Sequence, residues 1–168
     1  TVDLGDAYTI EAWVKRAAVS EEQYLVSRFV GGGWAFQFTW NDKLQWVLHG
    51  GSSAFSNSTL TDTANWHHVA VTRDTSSNAK LYIDGVLDST TAGFGTAAGS
   101  GNMYIASRQG SSNFFPGNID EVRIWNRDLS QAEIASKMNT LLVPANETDL
   151  TAYWQFNEGA GSTVSDLS

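Results

Sequence analysis

Two polar, turn-rich segments concentrate the side chains able to hold a ligand. Ser107-Arg-Gln-Gly-Ser-Ser-Asn-Phe-Phe115 supplies a cation, amides, hydroxyls and aromatic rings within nine residues. That mixture suits a glycan, whose hydroxyls need amide and hydroxyl partners and whose C–H faces stack on rings. Arg108, Gln109, Asn113 and Phe114 are the candidate ligand residues of this segment. Gly51 to Asn57, with Phe55, is the second candidate, because loops carry binding side chains more often than cores do. The competing reading of both segments is a pair of solvated hairpin connections. Arg28, in a predicted strand, could lie over a sheet beside them. Trp34, Phe36, Phe38 and Trp40 form an aromatic row that is either a stacking platform or core. Core is the favoured reading, with Trp40 at the strand end as the exposed member and a further ligand candidate.

Other chemistry is poorly served. His67 and His68 are adjacent in a predicted strand, point to opposite faces and so cannot both ligate one ion from that strand. His49 could share a face with one of them. The chain has no cysteine, which removes thiolate metal sites, thiol nucleophiles and disulfides. No nucleophile-elbow motif is present.

The composition narrows the partners. A chain of 168 residues fits one domain able to bury a core without staples. The formal net charge of −8 disfavours nucleic acid and anionic membranes. No segment approaches the ~20 apolar residues of a membrane span, so membrane insertion is not expected.

The elements that must position these residues are mostly strands. Ile10, Ala12 and Val14 alternate with Thr9, Glu11 and Trp13, and residues 24–28 follow as a second strand. Gly31 to Gly33 break the chain. Trp34, Phe36 and Phe38 then face one way and Ala35, Gln37 and Thr39 the other; after a turn at 41–43, Leu44, Trp46 and Leu48 rejoin the aromatic face, opposite Gln45, Val47 and His49. Residues 50–58 and 88–101 read as polar loops. Residues 66–72 and 80–83 read as strands, the latter running through Asp84-Gly85 into Val86-Leu87 as a hairpin with a type I′ turn. Residues 102–106 and 150–156 are further strands. Pro116-Gly117 is a turn before the alternating strand 119–125, and Ser130 with Glu133 forms a capping box that starts a short helix. The expectation is nine to twelve strands.

Thr9-Ile-Glu-Ala-Trp-Val-Lys15, Trp66-His-His-Val-Ala-Val-Thr72, Leu81-Tyr-Ile-Asp-Gly85, Gly117-Asn-Ile-Asp-Glu-Val-Arg-Ile-Trp125 and Ala152-Tyr-Trp-Gln-Phe-Asn-Glu-Gly159 resemble, in that order, the laminin G-like jelly-roll family. That family belongs to the concanavalin A-like lectin/glucanase group and is related to the pentraxins. The resemblance spans nearly the whole chain and implies an all-β fold: an antiparallel two-sheet β-sandwich, or jelly roll, here with one short surface helix near 130–138. It also implies a structural Ca²⁺ on Asp120, with Asp3 and Asp6 as further ligands, since oxygen donors suit that cation. The glucanase relatives place three acidic residues on one strand face to flank a glycosidic bond. This chain has no such run: Asp120 and Glu121 are adjacent and predicted on opposite faces, Glu11 stands alone and Asp62 is in a loop.

The expected protein is therefore a non-catalytic, extracellular or cell-surface recognition module with a glycan as preferred partner. The rival is a structural or adhesive domain of a large surface protein, phage fibre or appendage that contacts a cell-surface protein. The family's usual leading Phe-Asp-Gly strand and trailing strand are not in the sequence, so residues 1–168 read as a single domain excised from a longer protein.

Overall fold

The structure is a computed structural model that describes residues 2–28 and 33–168. The expected Gly31–Gly33 break lies, apart from Gly33, outside the described residues. The strands are β1 (Tyr8–Arg16), β2 (Gln23–Arg28), β3 (Trp34–Phe38), β4 (Lys43–Leu48), β5 (Ser53–Thr59), β6 (His67–Arg73), β7 (Ala79–Ile83), β8 (Val86–Thr91), β9 (Tyr104–Ile105), β10 (Gly117–Trp125) and β11 (Leu150–Trp154), with helix α1 at Gln131–Lys137. They form two antiparallel sheets, a six-stranded one in the order β11-β10-β1-β6-β7-β8 and a five-stranded one in the order β5-β4-β3-β2-β9. The expected β-sandwich is what forms.

Period-two burial explains the stacking. Tyr8, Ile10, Ala12 and Val14 of β1 are fully buried and meet Trp34, Phe36, Phe38, Leu44 and Trp46 of β3 and β4 in one core between the sheets. Each such side chain withdrawn from water contributes about 1.5–3 kcal/mol. The Trp46 indole N–H donates to the Tyr8 hydroxyl at 3.0 Å, so the core's polar atoms bond each other. A second core lies on the outer face of the six-stranded sheet, where Tyr82, Trp125, Leu129, Ile134, Leu142 and Tyr153 pack together. Helix α1 is thus tied down by Ile134, and its Ser130 cap and Glu133 make both bonds of the predicted capping box.

Two predicted loops contain strand. The Gly/Ser-rich residues 50–58 read as loop, yet 53–59 form edge strand β5, because β4 supplies a template: Gln45 pairs with Phe55 and Trp46 with Ala54. Likewise β8 extends to Thr91. The Asp84-Gly85 turn has positive φ at both residues, 51° and 75°, which is the type I′ geometry expected of that dipeptide.

One irregularity matters for chemistry. Opposite Ala12 of β1, β10 carries two residues, Glu121 and Val122, instead of one, and Glu121 has φ 50°. This β-bulge turns Glu121 to the same outer side as Asp120 while Val122 and Ile124 still enter the core. The expectation that Asp120 and Glu121 face opposite ways is therefore corrected: strict alternation holds only where the ladder has equal residues on both sides.

Candidate functional site

The outward face of the five-stranded sheet is built by the positions that alternate with the core. Tyr24, Gln37, Gln45 and Phe55 lie directly across from one another on β2, β3, β4 and β5. Three inter-strand steps make this row about 14 Å long. Phe55 stands 45% exposed at one end, whereas Gln37 is only 4% exposed. The Gln37 amide nitrogen donates to Gln45 Oε1 at 2.9 Å, but its own Oε1 is buried and has no hydrogen-bond partner. A second row beside it is Ser27, Ala35, Val47 and Ser53.

Residues 107–114 form the wall of this face. The base of the loop is closed by the Phe115 N–H donating to the Ala106 carbonyl at 2.9 Å and the Tyr24 N–H donating to the Asn113 carbonyl at 3.2 Å. The Ser27 hydroxyl donates to the Ser107 carbonyl at 2.8 Å, which ties the loop to the sheet. Arg108 and Ser112 pair as a small antiparallel bridge. The positive charge of Arg108 acts on both Tyr24 and His49. Burial raises the Tyr24 hydroxyl, with Arg108 opposing the rise. Burial lowers His49, and Arg108 lowers it further. Arg108 is thus within electrostatic reach of Tyr24 on β2 and of His49 just past β4.

The candidates separate into groups. Phe55 and Arg108 come to the outward face. Phe114, 59% exposed, follows Asn113 at the β2 side, and the Asn113 amide turns to the Glu22 carboxylate at 3.3 Å. Gln109 is exposed in the loop at φ 54°. Trp40 is 69% exposed in the turn after β3, three residues and so roughly 10 Å along the chain from Gln37. Arg28 does not join them: it lies across from the core residue Trp34 and donates to the Val2 carbonyl and to Asp3 Oδ1, each at 2.7 Å. Tyr24, Gln37, Gln45 and His49 were missed as ligand candidates, although the alternation that assigned the core also assigned their face.

The carboxylates predicted to hold calcium do not meet. Asp3 pairs with Arg28, and Asp6 offers its carbonyl to Arg73 ahead of β1. Asp120 lies across from Trp13 on β1, five residues and so about 16 Å from the Tyr8 end of that strand. Among the described residues no group of three or more His, Cys, Asp or Glu is arranged to hold a metal. A single Ca²⁺ site shared by Asp120, Asp3 and Asp6 does not fit this geometry. His67 and His68 do face opposite ways. The His67 ring meets Asp84 at 2.8 Å and Asp62 at 3.3 Å. His68 lies 3.4 Å from the fully buried Glu11. His49 sits on the other sheet, so the two-histidine site is not formed.

Glu11, the one acidic residue of β1, sits in a buried cluster. Its carboxylate accepts from the Trp125 indole at 3.1 Å and lies 3.6 Å from Arg123. Burial works to raise its pKa, but His68, Arg123 and Trp125 together hold it below the ordinary value. This cluster belongs to the six-stranded sheet, remote from the Gln37 face.

Two antiparallel sheets packed face to face in these strand orders define a jelly-roll sandwich. The chain belongs to the laminin G-type family of the concanavalin A-like lectin/glucanases superfamily, whose profile matches residues 1–135. It is 24% identical over 170 residues to the Rattus norvegicus sushi, von Willebrand factor type A, EGF and pentraxin domain-containing protein 1. That match covers 94% of this chain and 5% of the relative's length. Among solved structures, a Bacteroides ovatus protein named as a candidate carbohydrate binder superposes with TM-score 0.80 at 19% identity, over 96% of this chain and 49% of its own. The CBM40 module of a Ruminococcus gnavus IT-sialidase, bound to α2,3-sialyllactose, matches with TM-score 0.68 at 18% identity, over 79% of this chain and 83% of its own. Domain 4 of a Geobacillus stearothermophilus extracellular arabinanase, in complex with arabinotriose, matches with TM-score 0.67 at 18% identity, over 80% and 68%. At these identities the likeness is one of fold.

Proposed function

We propose that the chain is a non-catalytic, extracellular carbohydrate-binding module that takes a glycan on the outward face of the five-stranded sheet. The carrying observation is the buried, unpartnered Gln37 Oε1 in a row ending at the exposed Phe55. A buried acceptor without a donor costs about 1–3 kcal/mol, and a sugar hydroxyl supplies that donor once the side chains covering Gln37 make way for it. Phe55 offers a ring face to the same ligand, and Arg108 a cation beside it. The outward positions of β2 to β5 bring no carboxylate to this face, whereas glycoside hydrolysis needs a pair. The fold's relatives in complex with sialyllactose and arabinotriose support the reading.

The test is a glycan array of the purified chain, run with calcium and with EDTA, alongside Gln37→Leu, Phe55→Ala and Trp40→Ala. Binding lost in the first two, kept in Trp40→Ala and equal in both buffers is the expected result. The Phe55 ring should account for about tenfold in affinity, the scale of one aromatic contact. A blank array from a folded chain would overturn the reading in favour of a structural or protein-binding module.

A further inference from the structure

The opposite sheet carries a concavity that the glycan reading leaves unused. It has a volume of about 370 Å³ and is lined by Trp13, Trp66, Asp120, Glu121, Arg123 and residues 138–141. The bulge in β10 contributes to it by turning Glu121 to the side on which Asp120 already lies. Its far wall is held in place: the Trp13 indole donates to the Met138 carbonyl at 2.6 Å, and Arg123 donates to the Lys137 and Thr140 carbonyls at 3.0 and 2.8 Å.

The charges in the pocket are unevenly satisfied. Arg123 is 1% exposed and meets Glu121 at 2.5 Å and Glu11 at 3.6 Å. Glu121 also accepts from the Tyr153 hydroxyl at 2.5 Å. Asp120, in contrast, accepts the N–H of its neighbour Glu121 at 2.8 Å and, among the described residues, makes no ion pair, although the Arg123 charge acts on it from a distance. Around it the walls are apolar: Trp66 is 41% and Leu141 66% exposed, beside Trp13 and Met138. Burial raises the Asp120 carboxyl above its ordinary range and the Glu121 charge adds to the rise, against the bond from the Glu121 N–H and the Arg123 charge. An incoming cation would relieve both.

We propose that this pocket binds a protonated alkyl amine of the lysine side-chain type, with the ammonium against Asp120 and the stem along Trp66 and Leu141. A compact ammonium on a four-carbon stem matches one carboxylate without an ion pair beside aromatic and aliphatic walls. Indole faces add cation–π attraction. A divalent metal is the poorer match, because Ca²⁺ takes six to eight oxygens and Glu121 is already engaged. An anion would meet Asp120 directly. The chain's net charge of −8 favours approach of a cation.

The test is an ¹⁵N NMR titration of the 168-residue chain with Nα-acetyl-lysine amide, its neutral analogue Nα,Nε-diacetyl-lysine amide, and glucosamine, an amine without the alkyl stem. Saturable shifts at the Trp66 indole and the Asp120 and Glu121 amides with the lysine amide alone are the expected result. Asp120→Asn should weaken binding about tenfold, the scale of a partly desolvated cation contact, and Trp66→Ala should do so with Asp120 intact. No saturable shift, equal shifts from the neutral analogue, glucosamine binding as tightly, or full affinity in Asp120→Asn would each overturn the proposal. The amides around Gln37, on the other sheet, should stay still, so this result is independent of the glycan array.

Discussion

Replacing Gly85 with alanine probes the turn and the helix above it together. Gly85 sits at φ 75° in the β7–β8 hairpin, and a Cβ there would lie 3.1 Å from Met138 Sδ and 3.2 Å from both Cα and Cβ of Ala135. Gly93 provides the control, with φ 67° and nothing within 4 Å of an added Cβ. A left-handed backbone costs a non-glycine residue roughly 1–2 kcal/mol, and the lost unfolded-state freedom of glycine returns about 0.4–1 kcal/mol. Gly93→Ala should therefore destabilise by about 1 kcal/mol. Gly85→Ala adds overpacking of roughly 1–3 kcal/mol, since the α1 backbone must move. At about 2–4 °C per kcal/mol for a domain this size, calorimetry should show Tm falling by a few degrees in Gly93→Ala and by about 5–15 °C in Gly85→Ala. Equal losses in the two variants would refute the packing of α1 on the turn, and an unchanged Tm in Gly85→Ala would refute the type I′ geometry itself.

Asp42→Ala should lower stability by about 3–5 kcal/mol, because it leaves the fully buried Arg16, whose guanidinium meets Asp42 at 2.8 Å, with the neutral partners Gln23 and the Leu60 carbonyl in place of a carboxylate. Burial works to raise the Asp42 carboxyl, but the Ser20 N–H and Arg16 outweigh it and hold it below its ordinary 3.8. Its contribution is thus complete above that value and lost as pH falls through the lower folded-state pKa. Urea midpoints should drop on acidification in the parent and less in Asp42→Ala; parallel profiles would contradict the pair. His67 runs the other way. Burial works to lower it, yet Asp84 and Asp62 raise it above 6.5. Its contribution is complete below 6.5 and declines as pH rises through the higher folded pKa. NMR of the imidazole protons should find a titration above 6.5 that moves down in Asp84→Asn, and a midpoint at or below 6.5 would count against the bridge.

Local rules made much of the fold legible. Alternation in β1, β3 and β4, the Asp-Gly turn and the Ser130–Glu133 box each depend on residues a few positions apart, so their outcome is decided by pleat, φ preference and a single cap bond. The same alternation already contained the Gln37 face, since whatever opposes the core on a two-sided strand faces out. What the sequence alone determined is therefore the sandwich, its inward residues and the family to which they belong. Tertiary pairing decided the rest. Ser53–Thr59 becomes a strand because β4 offers its backbone bonds, a stimulus absent from its own composition. Arg108 reaches the sheet because the Ser27 hydroxyl and the Tyr24 N–H hold residues 107–113 against it. Glu121 joins Asp120 because β10 has one residue more than β1 across the bulge, and the register between two strands over a hundred positions apart is set by the packed pair, not by either strand alone.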